Sequence, residues 1–490
     1  MASVGEALGQ GLGPAGQDGA QPNLVFVFSD QQSWDMLGCY GNSQIVTPNL
    51  DRFAGQGTRF THCFANQPVC TPYRGMLMTG KHALHNGCFS NDVPLLPQAG
   101  PFFGEILRDA GYDTAYVGKW HLLGGKRDRP IPRGPMRYGF DSPTFYTDNC
   151  TTQYHPDHTF FWNEHDQKEK YGEWQPYGQT RQALDFIEQQ DADNPFALFL
   201  SWHPPHDNGK RDGYYLYDLY GRQPELEELY DGVDLKIRAN VPDQSERRKQ
   251  QLRDHMAMCS GVDVAFGRLM AALEEKGVAD NTIVVFTADH GDILGAYDWT
   301  IPKQIIHDVS SRVPLLIRQP GGVDAGRVSD LLISGIDLMP TLLSMMGLPS
   351  PAGMHGRDLA DAIASHDDDA IESIPMWMTM RPLDYRGVIT RDYTFCTQRD
   401  RPEHQLSNML YDRRADPDQL DNRFHDDSVR PLRAHLERMT RRHMERFDDP
   451  FITFDELLQI RPIRQWQYPP QGDDPRAWSL PIDLIHGRTT

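Results

Sequence analysis

Two apolar runs in this sequence end in residues that can hold a cation. Leu24–Ser29 (LVFVFS) is followed by Asp30 and Gln31, and Asn281–Ala288 (NTIVVFTA) by Asp289 and His290. A short, wholly apolar, β-rich run reads as a strand buried on both faces, so each run delivers donors at its C-terminal end. Hard oxygen donors of this kind suit calcium, magnesium or manganese. Two further runs, Thr114–Val117 and Phe196–Ser201, lead into Lys119 and His121 and into His203 and His206. Ammonium and imidazole groups there can neutralise an anion and move a proton near neutral pH. Cys70 opens the segment CTPYRGMLMTG. Pro72 suits the first turn of a helix. Cys70 would then sit at a helix N-terminus, where backbone N–H groups and the helix dipole favour an anion.

These residues need a scaffold that gathers strand ends. Amphipathic segments at Thr47–Gln56, Pro101–Ala110, Thr180–Gln190 and Ser245–Lys276 alternate with the apolar runs, and Pro314–Arg318 adds one more run. Such alternation predicts an α/β fold with a central, mostly parallel sheet flanked by helices. Ligands bind such sheets beyond the C-terminal strand ends. Asp30, Lys119, His121, His203, Asp289 and His290 are therefore expected along one edge. The polar, Tyr-rich stretch 204–250 reads as a long surface excursion that shapes a pocket. Trp202, Tyr214 and Tyr215 are candidate platforms there for a sugar or a quaternary ammonium. From about residue 372 the pattern changes. Tyr385–Gln398 and Met409–Arg413 read as antiparallel strands, and Leu432–Phe447 as a helix. The expected organisation is a disordered leader over 1–21, a catalytic α/β domain over 22–371, a smaller C-terminal α+β subdomain with an antiparallel sheet over 372–464, and a tail over 465–490.

Composition narrows the function. The 490 residues carry 48 Lys and Arg against 68 Asp and Glu, a net charge of −20. That argues against a general binder of nucleic acid or anionic membrane, which carries a basic footprint. It leaves room for a small anionic substrate at a local cationic cluster. Seven Cys at irregular spacing, with no CxxC pair, argue against a thiolate zinc site or a disulfide scaffold. A reducing compartment is the simpler setting. The first 21 residues lack Lys, Arg and an apolar core, and no run of 18 apolar residues occurs. A cytoplasmic protein without a membrane partner is the expectation.

Cys70, Pro72 and Arg74, with Thr79 and Gly80 behind them, resemble the signature of the type I sulfatases, the formylglycine-dependent branch of the alkaline phosphatase superfamily. The likeness extends to Asn23–Asp35 (NLVFVFSDQQSWD), Gly38–Gly41, Thr47–Asp51, Gly111–Thr114, Gly118–His121, Thr287–Asp292, Arg312–Pro314 and Asp337–Thr341. It covers residues 22 to about 425. It implies an alkaline-phosphatase-like core and hydrolysis of an organic O-sulfate (carbohydrate, aryl or small alkyl) to alcohol and inorganic sulfate. It also implies that a formylglycine-generating enzyme converts Cys70 to an aldehyde. The hydrated aldehyde has two hydroxyls on one carbon. One attacks sulfur, and the other then loses its proton and expels sulfate, whereas a serine would strand a stable ester.

The resemblance also implies a role for each matching residue. Arg74 holds the nucleophile, Lys119 contacts it and the sulfate, and His121 breaks the hemiacetal. His203 serves the leaving group, with His206 as its rival, and Lys303 neutralises a sulfate oxygen. Beside these roles, Asn91 and Asp92, in Ser90–Val93, are candidates to line the substrate pocket with His206, a plain loop turn being the alternative for that segment. Asp30, Gln31, Asp289 and His290, with residue 70, hold one divalent ion. Many relatives have Asp-Asp and Asp-Asn where this chain has Asp-Gln and Asp-His. That variant occurs in choline-sulfatase-like and phosphonate-monoester-hydrolase-like branches. It lowers ligand charge and adds an imidazole, which shifts weight from calcium toward manganese; calcium still leads, with manganese or magnesium as the alternatives. Tyr73 stands where Ser or Ala is common, and it is expected to narrow the site. A phosphonate monoester or phosphodiester hydrolase with the same site is the second reading. A non-catalytic binding protein on this scaffold is the third, and the complete set of Cys70, Lys119, His121, Asp289 and Lys303 argues against it. The long tail permits a homo-oligomer.

Overall fold

Side chains alternate along β1 (Asn23–Asp30), and that alternation sets the layers of the molecule. Leu24, Phe26 and Phe28 enter one apolar layer, and Val25 and Val27 enter another. The first layer is filled by the helices Cys70–Thr79, Phe103–Asp109 and Gly335–Met345. The second is filled by Pro48–Ala54, Gln175–Gln189 and Glu246–Lys276. A strand covered on both faces must be apolar on both, which is why the run reads LVFVF. Full burial of each such side chain contributes about 1.5–3 kcal/mol. The computed structural model describes residues 21–140, 142–151, 159–191, 194–212, 214–217, 224–298, 301–399, 408–461, 469 and 475–488.

The other strands follow in chain order. They are β2 (Thr58–Phe64), β3 (Asp113–Gly118), β4 (Phe145–Thr147), β5 (Phe160–Trp162), β6 (Lys168–Lys170) and β7 (Phe196–Pro205). A small hairpin, β8 (Lys210–Arg211) and β9 (Tyr214–Tyr215), stands apart from the main sheet. Then come β10 (Thr282–Ala288), β11 (Arg312–Arg318) and β12 (Arg327–Ser334). The main sheet has the order β12-β2-β11-β10-β1-β7-β3-β4-β5-β6. Its centre, β10-β1-β7-β3-β4, is parallel throughout. Antiparallel β11 on one side and β5 and β6 on the other make the whole sheet mixed.

The helix Glu246–Lys276 is long and apolar enough by composition to cross a membrane, although it contains no unbroken apolar run of that length. Here it is a core helix, with Met256, Val262, Phe266 and Leu269 packed against the sheet. The stretch 204–250 is more than a surface excursion. Its Tyr217, Leu226, Tyr230 and Leu235 are buried beside this helix. The expected leader lies outside the described residues except at Gln21. In the expected tail, Leu480 and Ile485, around the helix Pro481–Ile485, pack against the first layer.

A second, antiparallel sheet is built from β13 (Ile374–Met380), β14 (Leu383–Ile389), β15 (Tyr393–Gln398) and β16 (Asn408–Asp412). One face, with Met376, Met378 and Tyr385, packs on Ile293, Ile305 and Ile306. The other, with Val388, Phe395 and Leu410, is covered by Leu436 and Met439 of the helix Arg430–Arg446. Hydrogen bonds join this sheet to the segment before Cys70. The Trp377 N–H donates to the Asn66 carbonyl (3.0 Å), and Asn66 Nδ2 donates to the Pro375 carbonyl (2.9 Å). Arg413 grips Asp308 with a fork, Nη2 to Oδ2 at 2.6 Å and Nε to Oδ1 at 3.1 Å.

That fork is nearly buried, so its loss should be costly. Among the described residues, Arg413→Ala leaves the Asp308 carboxylate the 3.3 Å contact with Arg312. Removing one partner of a buried pair costs about 3 kcal/mol or more. The urea midpoint should fall accordingly, and an unchanged midpoint would count against this buttress.

Candidate active site

The register of the sheet brings the chemistry together. Ser29 of β1 pairs with Ala288 of β10, so Asp30 and Asp289 leave adjacent strands side by side. β3 and β7 end on the other flank with Lys119, His121, His203 and His206. Asp30 closes β1 and His203 lies within the last residues of β7, while Lys119, His121, His206, Asp289 and His290 follow the C-terminal ends of their strands. This is the edge at which such sheets bind ligands. Gly118, at φ +104°, makes the handover from β3 to Lys119. A Cβ there would fall 2.0 Å from the Ser201 carbonyl oxygen.

Cys70 is the first residue of its helix, and Arg74 lies one turn further on the same face. Cys70 Sγ is 3.2 Å from His290 Nε2, 3.2 Å from Lys303 Nζ and 3.7 Å from Asp30 Oδ1. Burial alone would raise the thiol. Lys119, Lys303 and His290 outweigh it and hold Cys70 well below its ordinary range, so the position is built for an anion. Arg74 donates to Asp289 Oδ2 through Nε (3.3 Å) and Nη2 (3.1 Å). Its Nη1 donates to the Lys119 carbonyl (2.7 Å) and Ser201 Oγ (2.8 Å).

Asp30, Cys70, Asp289 and His290 offer ligand atoms that all lie within 4.8 Å of one another, fully buried. The donor set of two carboxylates, an imidazole and a fourth anionic group fits a divalent cation. Gln31 joins them by a specific device. Its Nε2 donates to Asp292 Oδ2 (2.7 Å) and Asp207 Oδ2 (3.1 Å), so Oε1 must point the other way, where it accepts from Lys303 Nζ (2.8 Å). Tyr217 Oη donates to the same Asp292 oxygen (2.5 Å). Gln31 has φ +67°, a left-handed conformation held by the Asp289 Oδ1 bond to its own N–H (3.1 Å).

Charge and tautomer are set locally. Lys119 Nζ lies against Asp30 Oδ2. Burial and the Cys70 thiolate push the Asp30 carboxyl up, but Lys119, His206 and Lys303 together hold it well below its usual range. Burial and the charge of Asp30 raise Asp289. His290 Nδ1 lies 3.0 Å from the Gly291 carbonyl, and His206 Nδ1 lies 2.7 Å from that of Asp207. A carbonyl only accepts, so each Nδ1 carries a proton and each Nε2 faces the site. His206 Nε2 is 3.0 Å from Lys303 Nζ.

The structure thus collects Asp30, Gln31, Cys70, Arg74, Lys119, His206, Asp289, His290 and Lys303 in one cluster. His121 joins it from the side of Asp92, 3.0 Å from Oδ1. His203 lies deeper, with Nδ1 3.5 Å from Asp148 Oδ2. Burial lowers His203, but Asp148 and the Cys150 thiol more than offset it, so it is raised overall. Asn91 Oδ1 accepts the Thr71 N–H (3.1 Å) and so serves the start of the nucleophile's helix. Two expectations fail. Tyr73 does not narrow the site, because its ring is buried against Gly335, where a Cβ would come within 2.5 Å of it. Trp202 is fully buried within the second apolar layer and offers no platform. The side chains of Tyr214 and Tyr215 lie outside those described. Sequence reasoning missed Asp207, Asp292 and Tyr217, which orient Gln31, and Asp148 and Cys150 beside His203. Only Asp292 had a signal, since it closes the run Thr287–Asp292.

Comparison with known proteins decides the family. Residues 22–348 match the sulfatase family model, and residues 295–446 match that of the N-sulphoglucosamine sulphohydrolase C-terminal region. The chain belongs to the sulfatase family. It is 31% identical over 451 residues to the ulvan-active sulfatase of Formosa agariphila, covering 90% of this chain and 84% of that one. It is 26% identical over 495 residues to the N-acetylglucosamine-6-O-sulfatase of Bacteroides thetaiotaomicron, covering 84% of each. The crystal structure of the sulfatase yidJ from Bacteroides fragilis superposes with a TM-score of 0.79 at 29% identity, over 91% of this chain and 99% of that one. The protein is accordingly a sulfuric ester hydrolase with an alkaline-phosphatase-like fold.

In this sulfatase the Gln31 anchor gives a direct test. Asp292→Asn leaves one acceptor oxygen for Gln31 Nε2, Tyr217 Oη and the Leu294 N–H and removes the charge, which loosens the hold that keeps Oε1 in the cluster. Loss of such an orienting partner typically costs 10–100-fold in metal affinity. Calorimetric titration with calcium or manganese should show a loss of about that size, and an unchanged Kd would refute the role given to Gln31.

Proposed function

We propose that this sulfatase hydrolyses O-sulfate esters of saccharides, using a formylglycine formed from Cys70 and one calcium ion. The observation that carries the reading is the position of Cys70: first in its helix, 3.2 Å from both Lys303 Nζ and His290 Nε2, beside two clustered carboxylates. The ulvan-active and N-acetylglucosamine-6-O relatives are named for saccharide substrates, which supports the substrate class. Conversion of Cys70 is assigned to a formylglycine-generating enzyme, because Cys70, Pro72 and Arg74 are all in place. Asp30, Gln31, Asp289 and His290 would hold the ion. Three oxygen donors favour calcium, and the imidazole keeps manganese next in line. Seven free cysteines, six of them buried, support the cytoplasmic setting.

The aldehyde hydrate supplies a hydroxyl to attack sulfur and a second to release sulfate, and the ion supplies positive charge on a sulfate oxygen. The chain's own residues do the rest. Lys119 and Lys303 flank residue 70 and neutralise the other sulfate oxygens as charge develops. Arg74 fixes the helix that carries residue 70 against Asp289. We assign leaving-group protonation to His206 rather than His203. His206 shares the cluster with Lys303 and keeps Nε2 facing it, so that its imidazolium form, with Nδ1–H held by the Asp207 carbonyl, presents the second proton there once Lys303 turns to the sulfate. His203, in contrast, is fully buried beside Asp148.

Three outcomes test this. In converted, metal-loaded protein, Cys70→Ala should reduce sulfate release to background while the fold is retained, as read by circular dichroism. The unaltered enzyme should prefer sulfate esters to phosphonate monoesters in kcat/KM, and the reverse preference would overturn the assignment. His206→Gln should slow sugar-sulfate hydrolysis by about 10²–10⁴-fold, the usual worth of a general acid. It should change 4-nitrophenyl sulfate hydrolysis far less, since that leaving group needs no proton. Equal losses on both substrates would exclude the acid role.

A further inference from the structure

Arg127 has no part in the reaction as assigned so far, and Asp92 has been considered only as a pocket-lining residue. Asp92 Oδ1 lies 3.0 Å from His121 Nε2, and Arg127 grips both Asp92 oxygens, Nε to Oδ1 at 2.9 Å and Nη2 to Oδ2 at 2.7 Å. Asp92 and His121 both have left-handed backbones, at φ +61° and +57°. Such strain persists where the surroundings over-determine it, and it clusters at functional sites. The surroundings here are explicit. Thr71, the neighbour of Cys70, donates its Oγ1 to the His121 carbonyl (2.9 Å) and accepts the Asp92 N–H (3.4 Å). The His121 N–H donates to the Asn149 carbonyl (2.7 Å). The ring is 2% exposed, its Nε2 is on Asp92, its Nδ1 is buried with no hydrogen-bond partner among the described residues, and Cys70 and Cys150 are among the groups whose charge it feels.

We propose that Asp92, braced by Arg127, is the positioning residue for His121, holding the Nε2 proton so that Nδ1 meets residue 70 as an acceptor. The proposal rests on the formylglycine reading and concerns its second half. After sulfuryl transfer, the remaining hydroxyl on the residue 70 carbon gives its proton to His121 Nδ1. The carbon–oxygen double bond re-forms, the carbon–oxygen bond to sulfate breaks, and sulfate leaves with the electron pair. Cleavage of the substrate ester itself does not need His121 in this orientation.

Asp92→Asn separates the two halves. Asparagine tolerates the left-handed backbone as aspartate does. The amide offers one oxygen where the carboxylate offered two to Arg127 Nε, Arg127 Nη2 and His121 Nε2, and it carries no charge, so the hold on the Nε2 proton is lost. Steady-state turnover should fall by about 10–100-fold. One equivalent of alcohol should still appear in a rapid first turnover, and sulfated protein should accumulate in the intact mass spectrum. Arg127→Met should act in the same direction with smaller effect. In protein that retains unconverted Cys70, the His121 Nε2 proton should give a slowly exchanging ¹H–¹⁵N resonance that vanishes in Asp92→Asn. Loss of the first turnover together with the steady state, without sulfated protein, would overturn the proposal. So would a raised KM at unchanged kcat, which would make Asp92 a substrate contact. If the converted unaltered enzyme cleaves no sulfate ester, the formylglycine reading falls and this proposal with it. If that enzyme is active but the resonance is absent, only the proposal falls.

Discussion

Arg74 reaches four of the five central parallel strands at once. It donates to Asp289 after β10, to the Lys119 carbonyl after β3 and to Ser201 within β7, and it lies 3.6 Å from Asp30 at the end of β1. Its guanidinium also sits 4.8 Å above the Phe28 ring. It does this from within the helix that begins at Cys70, so the nucleophile's position and the geometry of the strand ends are one constraint. Both carboxylates and the guanidinium are buried, where an unpaired charge costs several kcal/mol. The cations hold the anions in place, and the anions hold the cations aimed at residue 70. A site whose charges are fixed before substrate arrives needs little reorganisation during reaction.

The C-terminal sheet completes that arrangement from outside. Lys303 comes from the loop between β10 and β11, which has little regular structure of its own. It is pinned by Gln304, whose N–H donates to the Pro68 carbonyl (3.3 Å), and by the Arg413 fork on Asp308. Packing of Ile305 and Ile306 against β13 and β14 does the remainder. Residues more than 70 positions downstream therefore decide where Lys303 Nζ lies relative to Cys70.

Much of this was legible in the sequence because parallel strands buried on both faces announce themselves as apolar runs, and their C-terminal ends are where ligands bind. Hence Asp30, Lys119, Asp289 and His290 could be placed together. β2 and β12 were not read, because their sequences, TRFTHCF and RVSDLLIS, mix polar residues into strands that are only partly covered. The orientation of Gln31 depends on Asp207 and Asp292, 176 and 261 residues away, and no local pattern reports such a pairing. Tyr73 was read as facing the site because its partner Gly335 is equally distant in sequence. The choice between His203 and His206 depends on where β7 ends. That point is set by pairing with β1 and not by the residues HPPH themselves.

The Cys70 side chain is 1% exposed in the folded chain. The segment just before it is covered by β13, about 300 residues later in synthesis, through the Asn66 bonds and Val69 packing. At ~5–20 residues per second, a ribosome needs roughly 15–60 s to make that distance. Any enzyme that alters this thiol has that interval, with the cysteine out and its cover not yet made. Activity in a cell would then be settled by a race between a visiting catalyst and the closing of the fold. Slower translation or delayed docking of the second sheet would raise the converted fraction without changing a single residue of the site.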